Sequence, residues 1–262
     1  MEQNNSKLPL DLTEVANKTY DDLASKPLKS TGNAGSTIID FLHNFILYPL
    51  QKYNIYATNK LKKYEEEVIN RTNKIPKENL TFPRVNIFGP TFDGLKYNLD
   101  EQHIKEMFTN VLISEMDNRK QNKVLPAYIE IVKQLNQEDA LFLTTLKEKK
   151  LVNNIPIIRL KLVKNINSTF GYISPYFICL SDGDYIEIPQ LVLDNLIRLQ
   201  IVEIPYDEYL ANKTIYEDTF NKLKVSLEFS LFTTIPNNHL DFQKRELNFT
   251  NFGRNFIDIC LS

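Results

Sequence analysis

The stretch that most constrains the fold is residues 82–140, which predicts two helices joined by a polar connector. Gly89-Pro90 predicts a turn, because both residues interrupt regular elements. Asp100 suits an N-cap, and Glu101 places negative charge in the first helical turn, where the helix dipole favours it. Apolar side chains then recur at helical spacing: Ile104, Met107, Phe108, Val111, Leu112 and Met116. This pattern predicts a helix that packs against a core.

The polar residues of the same stretch are predicted to face water. The opposite face of the helix carries Gln102, Lys105, Glu106 and Asn110. Paired carboxylates can bind a divalent ion, but Glu115 and Asp117 lie a helix length away from Asp100, so we expect a solvated acidic surface. Residues 117–123 form the connector, and Pro126 suits the first turn of the second helix.

Several segments of this stretch resemble one bacterial protein family. They are NIFGPTFDGLKYNLDEQHIKEMF at 86–108, NVLISEMD at 110–117 and EIVKQLNQEDA at 130–140. They resemble the Abi-alpha family, whose members are grouped as abortive-infection factors, and further along the chain only 193–204 and 249–260 are similar to it. The resemblance implies a role in phage defence, and it implies neither a reaction nor a catalytic residue.

The most apolar run of the chain is residues 38–50. The segment before it contains Gly32 and Gly35 and is predicted to act as a hinge. A membrane-spanning helix needs roughly 20 mostly apolar residues, and this run is shorter and contains Asp40 and Pro49. We therefore expect a core helix with a proline kink. The alternative is an amphipathic segment that swings out at the hinge and lies in a bilayer interface.

The second half changes from helical to strand periodicity. A helix is predicted over 136–149, a strand over 155–163, and a second strand over 172–180 that Pro175 confines to a sheet edge or a loop. Alternation over 222–235 predicts a hairpin strand.

The end of the chain predicts a winged-helix-like module. A helix from Pro189, with Leu191 and Ile197 among its apolar positions, leads into a strand over 201–204, and Thr250 caps a final helix over 251–261. In DNA-binding helix-turn-helix proteins the recognition helix contacts base edges in the major groove. Here Arg198 is the single basic residue on that surface, so we expect a structural or protein-binding module.

Composition narrows the function classes. A net charge of −2 argues against a general nucleic-acid binder, whose phosphate contacts need a positive field. Cys179 and Cys260 are each flanked by apolar residues, which favours reduced buried thiols in a cytoplasmic protein. The amino-terminal residues lack the pattern of a signal peptide, so export is not expected. No cofactor, metal or catalytic motif is recognised in the sequence, so a non-enzymatic protein is predicted.

These observations predict a mainly α protein with a C-terminal α+β part: a helical region over 1–135 and a winged-helix-like domain with extra strands over 136–262. The leading functional prediction is an abortive-infection protein that binds a phage or host component, with a protein as the expected partner. The alternatives are a membrane-acting effector using residues 38–50 and a nucleic-acid-binding regulator using the C-terminal module. The candidate interaction residues are Asp100, Glu101, Arg119 and Arg198.

Overall fold

The structure, a computed structural model, describes residues 55–95, 97–164, 168–226 and 238–261, which fall into two units. The first unit extends to Gln137 and also takes in the chain from Ile259, and the second is Glu138–Asp258. The boundary expected between residues 135 and 136 stays a prediction. The hinge at 32–35 and the apolar run at 38–50 lie outside the described residues.

The first unit is helical. Helix α1 spans Ile55–Thr72, α2 spans Val85–Leu95, α3 spans Gln102–Glu115 and α4 spans Pro126–Val132, with 3-10 turns at Lys77–Asn79 and Gln121–Lys123. Helix α3 contacts the other three helices. Its predicted apolar face is confirmed, because all six of its apolar side chains, including Met116 at the C-cap, are at most 3% exposed.

The predicted turn at Gly89-Pro90 is wrong, because both residues lie inside α2. Ile87, Phe88 and Phe92 are buried on one side of this helix, and each such side chain contributes about 1.5–3 kcal/mol. Together they outweigh the cost of an interior proline, about 3 kcal/mol. Gly89 also has no Cβ, so it avoids the clash that a proline imposes on the residue before it.

The predicted N-cap of α3 is also wrong. The N-cap is Glu101, which makes no side-chain capping bond. The Asp100 carboxylate instead pairs with Lys60 of α1, at 2.5 Å between Nζ and Oδ1. The Asp100 carboxylate is therefore engaged by a lysine of α1 and does not cap α3.

The second unit combines helices with five antiparallel strands. The strands are β1 (Ile155–Lys164), β2 (Ser168–Cys179), β3 (Tyr185–Ile188), β4 (Val202–Glu203) and β5 (Asn238–Phe249), in the order β3-β2-β1-β5-β4. The helices are α5 (Gln137–Glu148), α6 (Gln190–Arg198), α7 (Thr214–Val225) and α8 (Asn251–Cys260). Helix α7 packs on β1, β2 and β5. The described chain is thus an α+β protein whose sheet lies in its second half.

Thr250 caps α8 as predicted, since the Gly253 N–H donates to Thr250 Oγ1 at 2.8 Å. The strand predicted over 222–235 is wrong at its start, because Lys222 to Val225 complete α7, and 227–235 lie outside the described residues. Tyr216, Thr219 and Leu223 form a buried helical stripe on α7. Burial of this stripe favours the helix more than the short alternation of residues after it favours a strand.

The position of Pro175 agrees with the expected edge. The proline lies inside β2 at a bulge in the β1–β2 pairing, and the pairing of β2 with β3 begins only at Tyr176, so among the described strands β1 alone runs beside Pro175. On α6, Leu191 is 81% exposed and Ile197 is 38% exposed, so the buried face of this helix is narrower than predicted.

Candidate functional site

The four predicted interaction residues lie at separate places along the chain. Asp100 and Glu101 precede α3, Arg119 follows its end, and Arg198 belongs to the second unit. Arg119 makes a two-pronged contact with Asp117, at 2.6 Å from Nη2 to Oδ2 and 2.8 Å from Nε to Oδ1. Arg198 donates to Asn195 of its own helix, at 2.7 Å from Nη2 to Oδ1. The charges of Asp100, Arg119 and Arg198 are therefore engaged within the chain.

The acidic surface expected at the end of α3 is wrong, because Glu115 and Asp117 are buried. Glu115 accepts from the Arg84 side chain at 2.7 Å and 2.9 Å, and from the Arg84 backbone N–H at 2.9 Å. Hydrogen bonding from Arg119 holds the pKa of Asp117 below its usual value, against an opposing effect of burial. Both acids are neutralised by arginines, which the sequence pattern could not indicate.

Asn110 also departs from the predicted solvent-facing side of α3. It is 5% exposed, and its Nδ2 donates to the carbonyl oxygen of Cys260 at 2.8 Å. The amide therefore satisfies a carbonyl at the C-terminal end of α8, where helical carbonyls lack partners within the helix.

One face of the sheet in the second unit changes from apolar to polar along its strands. At one end it carries buried aliphatic side chains, namely Ile155, Ile157, Ile178, Ile188 and Leu247. Further along β1, Arg159 and Lys161 occupy the same face. Opposed residues of an antiparallel pair share a face, so Arg159 stands beside Tyr176 and Gln243, and Lys161 beside Tyr172 and Asp241. We call these six residues the arginine–tyrosine face.

Tyr176 lies directly opposite Arg159, and the bulge in β2 brings Tyr172 to the same guanidinium. Regular pairing from Arg159↔Tyr176 onward would put Ser174 opposite Lys161, whereas the bulge puts Tyr172 there. The guanidinium carbon of Arg159 lies 4.6 Å from the ring centroid of Tyr172 and 5.3 Å from that of Tyr176. A cation at such distances is attracted by the ring faces. The tyrosines therefore help to fix the orientation of the guanidinium.

Ser174 and Pro175 complete this arrangement. The Arg159 Nε donates to the Ser174 carbonyl at 2.9 Å, and the Ser174 hydroxyl accepts from the Leu160 N–H at 2.9 Å. The hydroxyl thus replaces a backbone acceptor that the interrupted pairing removes. The backbone groups at the bulge therefore have hydrogen-bond partners, and one of these bonds holds the Arg159 side chain in place.

The charges on this face are unequally compensated. Lys161 pairs with Asp241 at 2.8 Å between Nζ and Oδ2. Among the described residues, Arg159 has no carboxylate partner, and its terminal nitrogens make no hydrogen bond. Tyr172 is 47% exposed. The face therefore offers one uncompensated guanidinium beside an accessible aromatic ring.

A cleft of about 410 Å³ also opens in the second unit. Its lining is mostly apolar and includes Cys179, with Lys149 and Asp182 as charged members. Burial raises the pKa of the Cys179 thiol to about 12, although a hydrogen bond with Thr219 opposes the effect. Because the thiolate is the nucleophilic form of cysteine, this thiol is poorly suited to covalent catalysis.

In the part of the chain that the structure describes, no helix combines the length and the apolar character that a membrane crossing requires. No group of three or more His, Cys, Asp or Glu side chains there is arranged to hold a metal ion.

In a comparison with known protein families, residues 57–260 match the family described as abortive infection alpha. No curated protein and no solved structure matches the chain.

Proposed function

Because the chain belongs to the abortive infection alpha family, which it matches over residues 57–260, we propose that it acts in phage defence by abortive infection. In that defence the infected cell stops phage production and does not itself survive. The family match is the observation that carries this proposal, and it extends over both units of the fold.

We propose that the chain acts by binding a phage or host component and not by catalysis, with a protein as the expected partner and the cytoplasm as the place of action. The engagement of Glu115 and Asp117 by arginines supports an architectural role for these buried acids. The high pKa of Cys179 supports a packing role for its thiol. The accessible groups of the arginine–tyrosine face supply a binding surface.

A winged-helix-like arrangement of α5, α6, β4, β5 and α8 is part of the same proposal. It is supported by the order of these elements and by the Thr250 cap. The bond between Arg198 and Asn195 favours a structural or protein-binding role for this module over contact with a DNA backbone.

Growth of infected cultures tests the function. Bacteria that express the chain are infected with a panel of phages at low and at high phage-to-cell ratio, beside cells that carry a stop codon early in the reading frame. We expect survival of the culture at low ratio and collapse at high ratio without a phage burst. Equal lysis of both strains by every phage would contradict the proposal.

Fractionation of cells before and after infection separates this function from the membrane alternative. We expect the chain in the soluble fraction at both times. A shift into the membrane fraction on infection would favour the effector that acts through residues 38–50.

A further inference from the structure

We propose that the arginine–tyrosine face binds a nucleotide unit, with a phosphate on the Arg159 guanidinium and the base stacked against Tyr172. This inference rests on the proposed binding function and adds a nucleotide ligand to the protein partner expected there. The nucleotide can be free or part of a single strand, since both present the same phosphate and base.

The phosphate contact follows from the geometry of Arg159. Its Nε is committed to the Ser174 carbonyl at 2.9 Å, and the two ring contacts hold the guanidinium in place. Among the described residues, the terminal N–H groups of Arg159 make no hydrogen bond and can donate to a ligand. A guanidinium fork matches a phosphate with two parallel hydrogen bonds, so a pre-positioned fork loses little entropy on binding.

Charge complementarity selects an anion at this position. The neighbouring Lys161 and Asp241 neutralise one another at 2.8 Å, which leaves the positive charge of Arg159 uncompensated among the described members of the face. The field is therefore positive locally, although the whole chain carries −2.

The base contact follows from Tyr172, which is 47% exposed. Nucleobases stack on aromatic side chains of protein surfaces, and sheets of single-strand-binding domains use aromatic residues on neighbouring strands for this purpose. Gln243 stands beside Arg159 on β5 and offers both an amide donor and an acceptor to a base edge.

Two other ligands fit less well. An acidic peptide would satisfy the guanidinium but would leave the exposed ring of Tyr172 without a matching group. A duplex needs several cations along its backbone, whereas this face supplies one uncompensated guanidinium. A nucleotide unit uses both the cation and the ring.

Binding of labelled oligo(dT) and oligo(U), measured by fluorescence anisotropy over a series of salt concentrations, tests the inference with the full chain. Titration calorimetry with AMP and UMP tests the free nucleotide. We compare the wild type with Arg159→Gln, Tyr172→Ala and Tyr172→Phe. Arg198→Gln is the matched control, because it removes an arginine on α6 that is bonded to Asn195.

We expect Arg159→Gln to weaken binding at least tenfold and to reduce the salt dependence of the oligonucleotide by about 0.7 in the log–log slope, the loss of one phosphate contact. Tyr172→Ala should weaken binding at least fivefold with an unchanged slope, since stacking carries no charge. Tyr172→Phe and Arg198→Gln should bind like the wild type. Unchanged thermal unfolding of each variant shows that the fold is intact.

The arms of the experiment have distinct meanings. Binding of AMP or UMP as tight as that of the oligonucleotide identifies a free nucleotide, and much tighter oligonucleotide binding identifies a single strand. Binding of neither probe, equal losses in Arg159→Gln and Arg198→Gln, or preference for poly-glutamate overturns the inference. Phage protection by a wild type that binds no nucleotide overturns this inference and leaves the proposed function standing. Nucleotide binding without phage protection supports this inference and overturns the proposed function.

Discussion

Glu115 shows how strongly a single residue can depend on its partner. Its side chain has no exposed surface, and Arg84 supplies both a side-chain pair and a backbone N–H. Removing one partner of a buried pair leaves an uncompensated charge, which typically costs about 3–5 kcal/mol. We therefore predict that Arg84→Met lowers the free energy of unfolding by about 3 kcal/mol, as measured by urea denaturation.

A surface pair provides the control for this prediction. Glu130 pairs with Lys133 at 3.0 Å, and its side chain is 62% exposed. Exposed pairs contribute about 0–1 kcal/mol, so Glu130→Gln should change the unfolding free energy little. Equal effects of the two substitutions would show that the Arg84–Glu115 contact does not stabilise the fold as described.

Cys179 allows a prediction on reactivity. Because burial raises the pKa of its thiol to about 12, almost no thiolate exists at neutral pH. In a Cys260→Ser variant, we expect the native protein to react slowly with a disulfide reagent, with a rate that still rises between pH 7 and pH 10. A plateau below pH 9 would indicate a reactive cysteine and would reopen the case for catalysis.

At the scale of single elements, two glycines in helices give opposite expectations. A Cβ at Gly253 of α8 would lie 1.9 Å from the carbonyl oxygen of Ile201, whereas a Cβ at Gly89 of α2 would meet nothing within 4 Å apart from its chain neighbours and the backbone of its own helix. The Ile201 carbonyl also accepts the Thr250 N–H at 3.1 Å, so it is not free to move. We predict that Gly253→Ala lowers the free energy of unfolding by about 3 kcal/mol, since overpacking against backbone cannot be relieved by a rotamer change.

Gly89→Ala is the matched control for this pair. Better helix propensity favours alanine by about 0.8–1 kcal/mol, and crowding by the following Pro90 opposes that gain. We expect a net change below about 1 kcal/mol in its unfolding free energy, with both glycine variants measured by urea denaturation. A well-folded Gly253→Ala protein of wild-type stability would contradict the close packing of α8 on the chain at Ile201.

Elements with a long apolar period were predictable from the sequence, and elements decided by tertiary packing were not. The buried face of α3 follows from the helical spacing between Ile104 and Met116. Helix α2 could not be predicted, because local preferences at Gly89-Pro90 oppose it, whereas burial of side chains such as Phe88 and Phe92 stabilises it. The beginning of 222–235 was predicted as a strand for a similar reason. Its side chains alternate between polar and apolar, although residues 222–225 form the last turn of α7.

The arginine–tyrosine face could not be predicted from the sequence for a related reason. Arg159 and Lys161 alternate with apolar residues along β1, which places the two cations on one side of the strand. Their conjunction with Tyr172 and Tyr176 depends on a bulge and on strand pairing, neither of which local periodicity specifies. Pro175 was the available clue, because a proline inside a strand indicates an edge or a bulge.

At the scale of the whole molecule, the family match and the net charge bear on function. The match runs through residues of both units, so the defence role proposed above belongs to the chain as a whole. The net charge of −2 is compatible with a local cationic site and does not require a generally basic surface.

The most direct test of the central claim is a single-round infection in which every cell receives phage, with released phage and surviving cells counted together. The account predicts that cells expressing the chain release far fewer phage than cells with the early stop codon, and that the infected cells nevertheless fail to form colonies. A normal burst would contradict a role in defence. A reduced burst with full survival of the infected cells would contradict abortive infection as its mechanism.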